Sequence, residues 1–162
     1  MKPEDIDPEE REEFVIMLTA PLLIEDKIMT LEEAVNYYEE KVSQEPENPS
    51  YIIGLAHIFD LSKRAEDAVP LMETALRLEP QAMDPYLWLG DWYYHKKDSQ
   101  KAFNYYQDLY QLIESGEGIH YILDGSPEKF VESFFEGFIG LAKHLKKPLP
   151  PDLNKWLKES EV

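Results

Sequence analysis

The chain has 162 residues, of which 43% are apolar and 12% aromatic, enough to build a hydrophobic core and to argue against general disorder. Its formal net charge of -17 argues against nucleic-acid binding and against anionic membrane surfaces, so partners steered by charge are expected to be basic or neutral. It has no cysteine, which excludes disulfides, thiolate metal sites and cysteine nucleophiles.

The first fifty residues carry much of the charge, with 15 Asp/Glu against 4 Lys/Arg. We interpret this acidic segment as a solvated surface rather than as a binding site. Asp7–Pro8 is a good helix start, and a helix is expected over residues 8–29 with a break near Pro21. The apolar run at residues 14–24 is too short to cross a bilayer and follows acidic residues, so no export signal or membrane anchor is expected and the predicted location is cytoplasmic.

From residue 30 onward the chain repeats with a period of 34 residues. Thr30 and Glu33 have the spacing of a capping box at the start of a helix. Identical or similarly large residues then return at the same interval: Ala34, Ala68 and Ala102; Tyr38, Met72 and Tyr106; Pro46 and Pro80. A period of this length indicates a stack of helical pairs.

This pattern resembles the tetratricopeptide repeat, a helix–turn–helix unit of 34 residues. Counted from Pro49, one unit supplies the large, small and aromatic residues that the family pattern requires: Ile52, Leu55, Ala56, Phe59, Ala68, Met72, Ala75 and Pro80. Counted from Met83, the next supplies Tyr86, Leu89, Gly90, Tyr93, Ala102, Tyr106 and Leu109, with Glu114 where the family has proline. The resemblance covers residues 30–115 firmly and the two ends loosely.

The resemblance implies an all-α fold, a TPR-like α-solenoid in which antiparallel helix pairs form a superhelical stack. Small residues at Ala56, Ala68, Gly90 and Ala102 let paired helices approach closely, and neighbouring units bury each other's apolar faces. We expect one domain over residues 1–162. Its parts are a degenerate first unit at 8–48, a second repeat at 49–82, a third repeat at 83–116, and a loop with an incomplete repeat and capping helix at 117–162.

After Ser115 the sequence no longer follows the 34-residue repeat. Turn residues indicate a loop over 116–125, which is either a recognition loop or a plug that folds back onto the last helices. A helix is expected from Ser126–Pro127, with one apolar face made of Phe130, Phe134, Phe138, Leu141, Ala142 and Leu145. Residues 152–159 are expected to form a short capping helix that carries Trp156.

Nine aromatic residues lie between positions 83 and 115. We assign Tyr86, Tyr93 and Tyr106 to the core, because they occupy core positions of the repeat, and we expect Trp92 to pack against a neighbouring helix. Tyr105 and Tyr110 are expected to pack or to lie along the surface. Trp88 and Tyr94 have no core position.

By resemblance, the first helix of each repeat lines a concave groove that holds a partner segment. The function we predict is therefore a protein–protein interaction module, an adaptor or scaffold for a peptide or helix, and the partner is expected to be apolar with basic residues. These groove residues are alternatively covered by terminal segments of the same chain. The predicted groove residues are Ile53, His57, Asp60, Asp84, Leu87, Trp88, Asp91, Tyr94 and His95.

Other functions find less support. Co-chaperones of this family hold the acidic tails of heat-shock chaperones with Lys, Asn and Arg, but the equivalent positions here are Thr19, Leu23, Gly54, Asp84 and Trp88, so that partner is not expected. The alternative function is a secretion-type chaperone that keeps an apolar client soluble, because such chaperones have a similar length, charge and repeat number. Asp91 and His95 are one turn apart, but a hydrogen bond or solvated pair is favoured there over a metal site. We expect no enzyme activity, no metal and no cofactor, and a homo-oligomer stays an option.

Overall fold

The computed structural model describes residues 30–119, 127–153 and 155, so the helix predicted over 8–29 lies outside the described residues. The described part contains six helices: α1 (Leu31–Gln44), α2 (Pro49–Leu61), α3 (Ala65–Leu78), α4 (Met83–His95), α5 (Ser99–Ser115) and α6 (Pro127–His144). Every helix of the two predicted repeats is present. Short turns join α1 to α2, α2 to α3, α3 to α4 and α4 to α5, as expected for paired helices.

Side-chain caps define where the helices begin. The Thr30 hydroxyl accepts a hydrogen bond from the Glu33 backbone N–H at 3.1 Å, which confirms the predicted cap of α1. Asn48 accepts from the Ser50 N–H at 3.0 Å, and Pro49 follows it at the first helical position. Asp98 accepts from the Lys101 N–H at the start of α5. These capping residues mark where each helix begins, so the connection before each of these helices ends there.

Three helices end in the same hydrogen-bonded turn. In α2, the Lys63 N–H donates to the Asp60 carbonyl and the Arg64 N–H to the Phe59 carbonyl. Equivalent pairs of bonds follow α4 and α6, and together they form the Schellman motif. The residue in the left-handed conformation is a lysine each time, with φ values of 60°, 64° and 56° at Lys63, Lys97 and Lys146.

The described residues divide into two compact units. The amino-terminal unit has residues 30–85 and 117–119, with α1, α2 and α3. Helix α2 packs against both α1 and α3. Its core includes Ile52 and Ile53 of α2 together with Ala75 of α3 and Ala82, and Val42 and Leu71 pack against this cluster. Ile52 and Ala75 occupy core positions of the repeat pattern, whereas Ile53 was predicted to line the groove and is buried here.

The close approach of α1 and α2 depends on Gly54. A Cβ at this position would overlap the ring of Tyr38, which is 5% exposed. Burial raises the pKa of the Tyr38 hydroxyl to about 12, and the nearby hydroxyls of Tyr37 and Tyr51 add to the shift. The α1–α2 contact therefore buries an ionisable group in its neutral form.

The chain after α5 returns to the amino-terminal unit. The Ile119 N–H donates to the Gln81 carbonyl at 2.8 Å, and the Met83 N–H donates to the Ile119 carbonyl at 2.9 Å. Ala82 and Ile119 thus form a parallel bridge. The segment 116–125 was expected to be either a recognition loop or a plug on the last helices. Most of it, residues 120–125, lies outside the described residues.

The carboxy-terminal unit has residues 86–116, 127–153 and 155. Tyr105 of α5 stacks on Tyr93 of α4 with ring centroids 5.8 Å apart. Helix α6 packs on α5 through Phe103, Tyr106 and Tyr110, which contact Phe134, Phe135 and Phe138. Phe134, Phe138, Leu141 and Ala142 are buried, so this part of the predicted apolar face of α6 is confirmed.

Two details at the ends of these helices follow from the sequence. Helix α5 runs to Ser115 because Glu114 replaces the proline of the repeat pattern, and Gly116 ends the helix with φ 69°. Residues 151–153 and 155 are helical and Leu153 is buried, whereas Trp156 and the rest of the predicted capping helix lie outside the described residues. Within the described ranges, no helix is long and apolar enough to cross a membrane.

We predict that Tyr38 makes the protein less stable at alkaline pH. The folded-state pKa is raised from 10.0 to about 12. The contribution of the neutral Tyr38 to the free energy of unfolding is therefore fully present below pH 10 and is lost as the pH rises towards 12. Between pH 8 and pH 11 the loss attributable to Tyr38 is about 1.4 kcal/mol. Urea unfolding of Tyr38→Phe at both pH values should show a smaller alkaline loss than the wild type. Equal losses in the two proteins would contradict the assignment.

Candidate functional site

The structure places the predicted groove residues in both units. Four of them belong to the amino-terminal unit. Ile53 is in the core cluster and Asp84 is 6% exposed, so both are buried in this structure. Asp60 is exposed and His57 is half-buried. In this unit Asp60 is the most accessible of the four predicted residues.

The other five residues lie on α4 in the carboxy-terminal unit. Leu87 and Trp88 are half-buried, whereas Asp91, Tyr94 and His95 are exposed. Tyr94 is 51% exposed, which makes it the most exposed of the large apolar side chains within the described ranges. Its ring meets the His95 ring edge-on at 5.7 Å. The end of α4 therefore presents a polar and aromatic surface.

Asp91 is linked to the helix behind it. The Tyr106 hydroxyl of α5 donates a hydrogen bond to Asp91 Oδ1. Partial burial raises the pKa of the Asp91 carboxyl, and the Tyr106 hydrogen bond and the nearby His95 partly oppose that shift. Burial and the adjacent carboxylate also raise the pKa of Tyr106. Asp91 thus has a structural partner, and that partner is Tyr106 rather than His95.

An open cleft of about 830 Å³ lies beside these residues, entirely within the carboxy-terminal unit. Tyr94 and His95 line it from α4, and Tyr106 lines it from α5. Lys97 and Ser99 lie at the turn between those helices. The opposite wall belongs to α6: Glu136, Gly137, Gly140, Leu141 and His144.

The α6 wall is open because two glycines face it. A Cβ added to Gly137 or Gly140 would have no atom within 4 Å. Glycine inside a helix costs roughly 0.5–1 kcal/mol relative to alanine. Neither glycine is needed for close packing, in contrast to Gly90, where a Cβ would overlap the Tyr106 ring. Their shared effect is to widen the cleft.

The two ends of the cleft differ in charge. Phe103 of α5 meets Phe138 of α6, and Tyr110 meets Phe135, so α6 runs antiparallel to α5 and therefore parallel to α4. Along each of these parallel helices the acid precedes the base: Asp91 precedes His95, and Glu136 precedes His144. Glu136 therefore lies towards one end of the cleft, and the histidines and Lys97 lie towards the other. Asp91 is not among the residues that line it.

A second aromatic feature runs along α4. Trp88 stacks on Trp92 with centroids 5.7 Å apart and ring planes 9° apart. The Lys96 ammonium lies 4.7 Å from the Trp92 centroid, one further turn along the helix. Trp92 therefore contacts Trp88 and Lys96 of its own helix.

Reasoning from the sequence did not include the α6 wall in the site. A signal was present, because Phe138, Leu141, Ala142 and Leu145 repeat the first-helix spacing. Counting the groove positions from that register selects six residues, two of which line the cleft wall: Glu136, Ile139, Gly140, Lys143, Lys146 and Lys147. The Asp91–Tyr106 bond was missed because its two residues lie fifteen positions apart on paired helices, a relation that no helical periodicity shows.

The described residues contain no group of three or more His, Asp or Glu side chains placed to hold a metal ion. Among the described residues, Asp91 and His95 therefore have no third side chain placed to bind a metal ion with them.

Comparisons with known proteins identify the fold. No family model and no curated protein matches the sequence. Among solved structures, the Sgt2 TPR domain from Aspergillus fumigatus is similar with a TM-score of 0.59 and 17% identity, over 93% of this chain and 91% of that one. The crystal structure of MamA is similar with a TM-score of 0.56 and 11% identity, over 88% of this chain and 67% of that one. The tetratricopeptide-repeat fold predicted from the 34-residue pattern is confirmed.

We predict that alanine has opposite effects at two glycines of the carboxy-terminal unit. Gly90→Ala should destabilise the protein by about 1–3 kcal/mol, because the new methyl group overlaps the buried Tyr106 ring. Gly137→Ala adds a methyl group in open space and should stabilise by about 0.5–1 kcal/mol through helix propensity. Chemical denaturation of both variants measures the two effects. A stabilising Gly90→Ala would show that the helices do not meet at this glycine.

Proposed function

We propose that the chain is a protein–protein interaction module and that the cleft of the carboxy-terminal unit holds a peptide or helix of a partner protein. The observation that carries this proposal is the exposed Tyr94 ring opposite a helix wall opened by Gly137 and Gly140. An aromatic side chain beside a concave surface is a typical anchor for a partner segment. The cleft volume suits a few side chains of an extended or helical segment.

The chemistry of the cleft indicates the kind of segment. Tyr94 and Leu141 offer apolar contact, and Glu136 offers a carboxylate at one end. An apolar segment that carries a lysine or arginine fits this end. Leu87 and Trp88 extend the same helix face towards its start. Asp60 and His57 belong to the amino-terminal unit and stay a separate prediction.

Two variants test the proposal from opposite walls of the cleft. Tyr94→Ala removes the exposed ring, and Gly140→Leu adds a side chain to the cleft at a position where a Cβ meets no atom within 4 Å. We expect each variant to fold normally and to weaken partner binding about tenfold or more, as for loss of a central interface anchor. Partners are captured from native lysate with the wild type, identified by mass spectrometry and then titrated against each variant by calorimetry.

Leu78→Ala is the matched control, because Leu78 is 38% exposed, belongs to the amino-terminal unit and is not among the residues that line the cleft. It should leave the affinity unchanged. A partner that binds Tyr94→Ala and Gly140→Leu as tightly as it binds the wild type does not use this cleft, and the proposal would then be wrong.

A further inference from the structure

Lysine occupies a backbone position that favours glycine at three helix ends. Left-handed φ values are disfavoured for residues with a side chain, and glycine is the usual residue at this point of the Schellman motif. The chain does use glycine at Gly116, where α5 ends with φ 69°. At Lys63, Lys97 and Lys146 it keeps a lysine instead. The lysine at each of these positions therefore has a backbone conformation that disfavours a side chain.

Two of these lysines belong to a basic region in an acidic protein. The segment 95–101 has three lysines and one aspartate, and the segment 143–147 has three lysines. Their charges of +2 and +3 sum to +5 over twelve residues, whereas the whole chain has a net charge of -17. We name this region the lysine edge, and it consists of Lys96, Lys97, Lys101, Lys143, Lys146 and Lys147.

The two segments are neighbours in the carboxy-terminal unit. His95 and Lys97 of the first segment line the same cleft as His144 of the second. The Lys147 ammonium lies 4.8 Å from the centroid of Phe103, two residues after Lys101 in α5. Lysines from separate parts of the sequence thus form one surface.

The lysines of this edge fall into two groups. Lys96, Lys101 and Lys147 lie over the rings of Trp92, Tyr93 and Phe103, at 4.7, 4.5 and 4.8 Å from the centroids. Lys97, Lys143 and Lys146 are exposed, and the structure gives them no carboxylate partner among the residues that it describes. The first group fixes positive charge at the surface, and the second is available to an anionic group.

We propose that the lysine edge binds an acidic segment of a partner protein, with Lys97, Lys143 and Lys146 as the contacting residues. Charges separated by more than about 8 Å are largely screened at physiological ionic strength, so the local charge of the edge governs binding more than the net charge of the chain. This surface lies at the helix ends and uses none of the positions at which the family's basic clamp would lie. The inference rests on the proposed partner-binding function, but it concerns contacts other than Tyr94.

The test uses a fluorescein-labelled peptide of ten glutamates and the full chain. Fluorescence anisotropy should show binding by the wild type that weakens as salt is raised from low to high concentration. The double variant Lys97→Gly with Lys146→Gly should bind the peptide about fivefold or more weakly, as expected for the loss of two surface ion pairs. Its melting temperature should be equal to or above that of the wild type, because glycine relieves both left-handed positions. Loss of binding would then not be a result of unfolding.

Lys63→Gly is the matched control, since it removes a lysine with the same backbone conformation in the amino-terminal unit. It should leave peptide binding unchanged. Three results would overturn the proposal: no binding by the wild type, equal binding by the double variant, or tighter binding of a ten-nucleotide oligothymidine than of the peptide. Tyr94 and Gly140 are intact in every protein of this test. A negative result therefore contradicts the lysine edge alone, and the cleft proposal is tested separately by Tyr94→Ala and Gly140→Leu.

Discussion

The contact on which the structure depends is a tyrosine ring from one helix lying on a glycine of the neighbouring helix. It occurs once in each unit: Tyr38 lies on Gly54, and Tyr106 lies on Gly90. Helices that cross at glycine can approach more closely than helices that cross at larger residues, and the flat ring fills the space of the missing side chain. Both rings are 5% exposed, so the apolar part of each tyrosine contributes to its core.

In the carboxy-terminal unit, the same ring connects the fold to the proposed site. Tyr106 contacts Gly90 and Asp91 of α4 on one side, and it meets Phe134 of α6 edge-on at 5.6 Å on the other. It is also one of the residues that line the cleft. The width of the cleft between α4 and α6 therefore depends on where this ring lies. A change in the ring is expected to alter stability and partner binding together, whereas changes at Tyr94 or Gly140 should alter binding alone.

The fold was largely predictable because its determinants are local and repeat at a fixed interval. Ala34, Ala68 and Ala102 mark the register, and Thr30 and Glu33 mark a helix start that the structure confirms. The site was less predictable, because its walls come from helices far apart in sequence. The exposure of Tyr94 was consistent with its position outside the core pattern, whereas burial of Ile53 depends on Ala75 and Ala82, residues more than twenty positions away. The left-handed lysines were not predicted, since glycine is the residue that signals such a turn.

The most direct test of the ring-on-glycine contact is a double-mutant cycle between Gly90→Ala and Tyr106→Leu, read as free energies of unfolding in urea. All four proteins of the cycle should carry Gly137→Ala, which offsets part of the stability that Tyr106→Leu removes. Because every protein carries it, it does not affect the differences within the cycle. If the helices meet as described, Gly90→Ala costs about 1–3 kcal/mol when Tyr106 is present. In the Tyr106→Leu background the overlap is gone, and the same change should be neutral or stabilising by up to about 1 kcal/mol. An equal cost in both backgrounds would contradict the account.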